Sequence, residues 1–244
     1  LERKIRVGAV SYLNTKPLVY GFENGAMGDQ IELKYDYPAR IAGMLLNDEI
    51  DVGLVPVAVI PAMAEHHLIS DFCIGASQAV ASVCLFSDVP ISEVKEILVD
   101  YQSRTSAALL NILLKEHWKI SPVLSAASTG YQQNIKGGTA GLVIGDRALI
   151  QRKQSAYIYD LAEAWQEMTG LPFVFAAWVA NKKLPEAFIH SFNEATSIGL
   201  NHMEEIAAAL DFPEYDMLTY YHKNIDYRLD ESKQKALKLF LSYL

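Results

Sequence analysis

The sequence predicts an α/β protein of two lobes, the second inserted into the first and joined to it by two extended crossings. Three observations predict it. Strand and helix patterns alternate over the first two thirds of the chain, which implies parallel strands linked by helical crossovers. Two long apolar runs of extended pattern, 80–87 and 173–181, bracket the middle segment. Beyond residue 185 the pattern becomes helical.

The elements follow in order. Residues 5–10 form a short apolar strand, and 15–22 a helix with Pro17 in its first turn, where a missing N–H costs little. A strand at 31–35, a helix at 38–47 and a buried strand at 51–55 continue the alternation. Residues 80–87 lead out to the middle segment, which repeats the theme. Its strands lie at 96–99, 122–125, 141–144 and 156–159, and its helices at 105–117, 129–135 and 146–150. Residues 173–181 lead back. Phe188, Phe192, Ala195, Gly199, Met203, Ile206 and Leu210 then recur at intervals of three and four, one face of a helix. A last helix over 230–243 turns Ala236, Leu237, Phe240 and Leu241 inward. The expected division is a first lobe of residues 1–84 plus 178–244 and an inserted lobe of 85–177.

Composition limits the function. The 244 residues are 51% hydrophobic, enough for a real core at this size. Asp and Glu total 29 against 21 Lys and Arg, and a net charge of -8 argues against a nucleic-acid partner, whose phosphates need a basic surface. Basic spots remain near Lys16, Arg40 and Arg104. No stretch reaches the roughly 18 apolar residues of a membrane span. The amino terminus enters a strand pattern without an apolar leader core, which points to the cytoplasm. Cys73 and Cys84 sit in apolar runs without metal-ligand spacing and read as buried free thiols of a reducing compartment. The six histidines show no metal spacing, and neither a G-x-S-x-G elbow nor a Walker loop occurs. No motif calls for a cofactor or a metal, and nothing fixes an oligomeric state.

Three polar constellations remain, each at an expected cleft between the lobes. Ser11-Tyr12-Leu13-Asn14-Thr15-Lys16 follows the first strand, where unpaired N–H groups of a helix start attract an anion. Asn14 or Thr15 as a plain helix cap reads equally well. Asp100-Tyr101-Gln102-Ser103-Arg104-Thr105-Ser106 places three hydroxyls and an arginine at a second helix start, the strongest anion signal in the chain. Ser82, inside an apolar crossing, needs a hydrogen-bond partner, either backbone or a ligand. Weaker candidates are Thr129 and the pair Gly145-Asp146, where glycine lets backbone approach a ligand. Asp160 with Glu163 fits a capping box and is assigned to structure. Trp118, Trp165 and Trp178 read as fillers of the core or cleft wall.

Five segments, SYLNTKPL at 11–18, ASVCLFS at 81–87, SRTS at 103–106, GDRAL at 145–149 and TGLPFVFAAW at 169–178, together resemble the chorismate dehydratase family of the futalosine route to menaquinone. The resemblance implies a fold like that of type II periplasmic binding proteins. It also implies a hydro-lyase reaction in which chorismate loses water to give 3-[(1-carboxyvinyl)oxy]benzoate. By resemblance Asn14 and Ser82 are catalytic, with Thr105 and Ser106 forming a carboxylate seat. Ser11, Ser103, Thr129, Gly145 and Asp146 are expected to bind substrate around them. A small-anion solute-binding protein and the related enzyme that cleaves cyclic dehypoxanthine futalosine share the fold and stand as rivals.

Overall fold

Strands of the computed structural model assemble into two sheets, and the residues described are 3–244, which leaves residues 1–2 of the amino-terminal stretch outside. The first half of the first sheet comes from β1 (Ile5–Val10), α1 (Lys16–Glu23), β2 (Ile31–Asp36), α2 (Pro38–Leu46) and β3 (Val52–Pro56). β4 (His67–Ala76) ends that run. The second sheet is built by β5 (Val83–Ser87), β6 (Glu96–Val99), α3 (Arg104–Ile112), β7 (Val123–Ala126), β8 (Thr139–Ile144), α4 (Asp146–Gln151), β9 (Tyr157–Asp160) and α5 (Leu161–Thr169). The chain returns through β10 (Phe173–Ala180) and closes with α6 (Glu186–Leu200), α7 (Met203–Ala208), α8 (Met217–Thr219), β11 (Asp226–Arg228) and α9 (Glu231–Ser242).

The first sheet has the order β11-β4-β10-β3-β1-β2 and the second β7-β6-β8-β5-β9. Every residue of β3 and β10 is buried. Strands covered on both faces read as unbroken apolar runs, which is why both stood out in the sequence. β7, at a sheet edge, leaves Val123 and Leu124 exposed. Helices α1 and α6 touch backbone to backbone: a Cβ on Gly21 would lie 2.0 Å from the Ala195 carbonyl oxygen. The main apolar cluster spans both lobes, with Val55 and Ile74 of one and Leu110 and Ile144 of the other in a single body.

Several expectations are corrected. The sheets are mixed: β10 runs antiparallel to β3 and β4, and β5 antiparallel to β8 and β9. The reversal arises where the chain changes sheets, since each crossing brings it back against its neighbours. The expected limits at 84 and 178 differ from sheet membership. Val83 and Cys84 already pair with β8, and Phe173–Ala177 pair inside the first sheet, so residues 77–82 and 170–172 make the crossings. The helix expected at 129–135 is a single 3-10 turn, Tyr131–Asn134, behind the left-handed Gly130. The helix expected over 105–117 runs as α3 and then widens into a π turn at Leu113–Trp118.

Candidate active site

A cavity of about 40 Å3 lies where the two sheets meet the outbound crossing. Tyr12 and Asn14 bring polar atoms from the turn after β1, Ser82 from the crossing, and Ser103 and Ser106 from the start of α3. Val10, Pro56, Ile74, Ile144 and Phe175 close it with apolar surface. Among the described residues, no Asp, Glu, His, Lys or Arg belongs to its wall. Two of the three constellations therefore meet the third in one place.

Each polar residue is there for a local reason. After β1 the chain makes a 3-10 turn, Leu13–Thr15, and enters α1 with Pro17 in its first turn, so Asn14 is buried beneath a helix start. The Asn14 carbonyl oxygen of the side chain accepts from the Thr15 hydroxyl at 3.4 Å. Ser103 is the N-cap of α3: its hydroxyl accepts from the Ser106 N–H at 3.2 Å and from the Ser106 hydroxyl at 3.0 Å. Ser103 is thus at once a cap and a cavity residue, whereas Thr15, at the N-cap of α1, makes no side-chain cap bond.

Ser82 is fully buried. Its hydroxyl accepts from the Tyr220 phenol at 2.7 Å and lies 3.5 Å from the Val80 carbonyl. Before it stands Ala81, a non-glycine residue at φ 62°. Asp160 fixes this crossing, taking the N–H groups of Val80 at 3.1 Å and Ala81 at 2.7 Å while capping α5 through the Ala162 N–H at 3.0 Å. The structural assignment of Asp160 was thus too narrow: the same carboxylate that caps a helix also shapes the backbone leading into Ser82.

Gly145 also lines the cavity, at φ 64°, and a Cβ there would stand 2.9 Å from the Tyr12 ring. Ser11, Thr105, Thr129 and Asp146 do not line it. Ser11 extends the β1–β2 ladder through its N–H and faces a neighbouring pocket with Lys16 and Tyr35. Thr105 is buried and its hydroxyl accepts the Ala58 N–H at 3.0 Å, a bond between lobes. Thr129 is exposed on the turn before Tyr131. Asp146 takes the Leu13 N–H at 3.0 Å, again between lobes, and burial pushes its carboxyl up to about 6.

Sequence reading missed a network beside the cavity. Tyr12 donates to the Gln102 side chain, Arg147 reaches both Gln102 and Asp100 at 2.7 Å, and Tyr131 donates to Asp100 at 2.7 Å. Asp100 has a fully buried side chain, and Arg147 is the cation that balances it. Tyr12, Gln102 and Arg147 all lay inside quoted motifs, but only the fold shows that they touch. Tyr220 and Tyr221 carried no signal beyond an apolar helical pattern.

Fold and site define a two-lobed α/β protein of the binding-protein type, with a polar cavity held between lobes. Among solved structures, one from Archaeoglobus fulgidus superposes with a TM-score of 0.73 at 18% identity, covering 98% of this chain and 96% of that one. An alkanesulfonate-binding protein from Xanthomonas axonopodis pv. citri gives 0.66 at 12% identity, covering 98% and 93%. The chain belongs to the family described as menaquinone biosynthesis, whose model matches residues 5–244. It is 27% identical over 269 residues to the chorismate dehydratase of Thermus thermophilus, covering 98% of this chain and 94% of the relative. It is likewise 27% identical over 244 residues to the chorismate dehydratase of Campylobacter jejuni, covering 96% and 95%.

Proposed function

We propose that the chain is a chorismate dehydratase, a hydro-lyase that converts chorismate to 3-[(1-carboxyvinyl)oxy]benzoate and water for menaquinone biosynthesis by the futalosine route. The observation that carries this reading is the cavity wall: an amide and four hydroxyls from both lobes and the crossing, with no acidic or histidine base among them.

The chemistry suits such a wall. Chorismate carries two carboxylates, to which the hydroxyls of Ser82 and Ser103 and the N-terminal end of α3 are suited to donate. The ring C–H beside the enolpyruvyl ether is vinylogous to the ring carboxylate. Its removal drives negative charge onto that carboxylate, where fixed donors stabilise it. With no base in the wall, the substrate's own side-chain carboxylate takes the proton. The neighbouring ring carbon then expels hydroxide, which Asn14 holds and which leaves as water once it regains that proton. Aromatisation drives the step.

The open space of the cavity, about 40 Å3, is small beside the pockets that hold ligands of this size. Entry of a substituted ring therefore requires the lobes to part, releasing Tyr12 from Gln102, Leu13 from Asp146, and Ala58 from Thr105. Return to this arrangement would exclude water from the reacting centre. We place the protein in the cytoplasm on its two free buried thiols, Cys73 and Cys84.

Incubation of the protein with chorismate, followed by ultraviolet absorbance and mass spectrometry, tests the reading; the expected product is aromatic and lighter by one water. Asn14→Ala and Ser82→Ala should each lower turnover about 100-fold or more with little change in melting temperature. Chorismate bound tightly but left intact would identify a small-anion binding protein instead, and cleavage of cyclic dehypoxanthine futalosine would identify the related enzyme.

A further inference from the structure

Ser82 reaches the cavity from the outbound crossing and Asn14 from the turn after β1, yet one carboxyl-terminal segment bonds both. Tyr220 is fully buried and sits at the start of the π turn Tyr220–Asn224, outside the cavity wall. Its phenol donates to the Ser82 hydroxyl oxygen at 2.7 Å. Burial pushes the phenol's ionisation far up, so it stays a neutral donor throughout any working pH.

This bond determines what the Ser82 hydroxyl can do. A serine oxygen has two lone pairs and one proton. Tyr220 occupies one lone pair, and the alternative acceptor for the proton, the Val80 carbonyl, is at the outer limit of hydrogen bonding at 3.5 Å. The proton is therefore free to turn to a group inside the cavity. Two further tyrosines of the same carboxyl-terminal segment hold the backbone opposite: Tyr221 donates to the Leu13 carbonyl at 3.0 Å and Tyr227 to the Asn14 carbonyl at 2.9 Å. A segment that looks like packing for the first lobe thus bonds both polar residues expected to act on substrate.

We propose that Tyr220 is a positioning residue for the dehydration, holding the Ser82 hydroxyl with its proton aimed at a substrate carboxylate. The proposal rests on the dehydratase reading. Tyr220 touches no reacting atom and acts through Ser82.

The test is a double-mutant cycle in the full-length chain with Tyr220→Phe, Ser82→Ala and the pair, reading kcat and KM separately. Tyr220→Phe removes one oxygen and keeps the ring, so the edge-on contact with Tyr215 and the tilted contact with Tyr221 are retained. The expected result is a kcat loss of about 10- to 100-fold with KM changed less than about threefold, and almost no further loss when the change is added to Ser82→Ala. Full activity in Tyr220→Phe, or losses that multiply in the pair, would overturn the proposal. If Tyr220→Phe does not fold, Tyr220→Trp supplies a donor on a different ring, and partial recovery of kcat there is the supporting result; a folded but equally inactive Tyr220→Trp counts against it. A wild-type chain that leaves chorismate intact removes the dehydratase reading and this proposal together. An active wild type beside an equally active Tyr220→Phe removes the proposal alone.

Discussion

The turn after β1 and the turn before α3 both follow a strand, both start a helix and both supply polar groups to the same cavity, but they differ in how much of their hold is local. Residues 100–106 combine bonds of their own with bonds from elsewhere: Asp100 accepts the Gln102 N–H at 2.7 Å and Ser103 caps Ser106 at 3.2 Å, while Arg147 and Tyr131 bond Asp100 and the Ala58 N–H bonds Thr105. Residues 11–15 are held from afar. Tyr12 is fixed by Gln102, the Leu13 N–H by Asp146, and the carbonyls of Leu13 and Asn14 by Tyr221 and Tyr227. One turn carries part of its geometry in its own sequence, and the other borrows most of its geometry from the second lobe and the carboxyl-terminal segment. A local replacement should therefore damage the second turn in proportion to its cap, whereas the first should respond to changes more than a hundred residues away.

The largest effect should come from Arg147→Met. It leaves the fully buried Asp100 carboxylate without its cation and frees the Gln102 that holds Tyr12, so both turns loosen at once. Since the Arg147 head retains 29% exposure, the loss should fall toward the lower end for a broken buried pair, about 2–3 kcal/mol in urea unfolding. A loss below about 0.5 kcal/mol would separate the two turns and break the comparison.

Asp146→Asn should act next, and through pH. Burial raises the Asp146 carboxyl from 3.8 to about 6, against the opposing pull of the Leu13 N–H, Lys16 and Arg147. The folded chain then binds this proton more tightly than the unfolded chain, so this group favours folding at low pH and that contribution disappears as pH rises from about 4 to about 6. The amount at stake is on the order of 2 kcal/mol. Asparagine keeps an acceptor for the Leu13 N–H and should remove that slope from the stability profile; an unchanged slope would assign it to other groups. Ser103→Ala should be the smallest change, about 1 kcal/mol for a lost cap, with the environment of Tyr12 unaltered in its fluorescence or amide spectrum. A shift at Tyr12 would show the second turn to be less self-contained than its bonds suggest.

The same contrast marks what was legible in the sequence. The buried strands β3 and β10 and the serine cap of α3 were visible because burial on both faces and capping leave local patterns. Strand direction was not: antiparallel pairing of β10 with β3 and β4 depends on where the chain changes sheets, which no window of residues records. β11, three residues long, is too short to show a period. At the site, Asn14, Ser82, Ser103, Ser106 and Gly145 meet as a set, whereas Ser11 and Thr129 belong to other surfaces. Ser11 lay in the right motif, but its N–H bonds the Asp36 carbonyl and it lines the neighbouring pocket instead. Thr105 and Asp146 bond backbone of the opposite lobe, a role with no signature in spacing. Tyr220 stayed hidden because a tyrosine in an apolar helical stretch looks like any core aromatic until its hydroxyl is traced to Ser82, 138 residues earlier.

Ala81 has a further consequence. A left-handed alanine is disfavoured by about 1 kcal/mol or more relative to its ordinary backbone, and here the grip of Asp160 on the Val80 and Ala81 amides holds it in place. The joint between the sheets is therefore a preset elbow rather than a slack tether. Because Ser82 is the very next link, any swivel of one sheet against the other that passes through this elbow also rotates the serine, so the aim of its hydroxyl and the angle between the two halves are geared together.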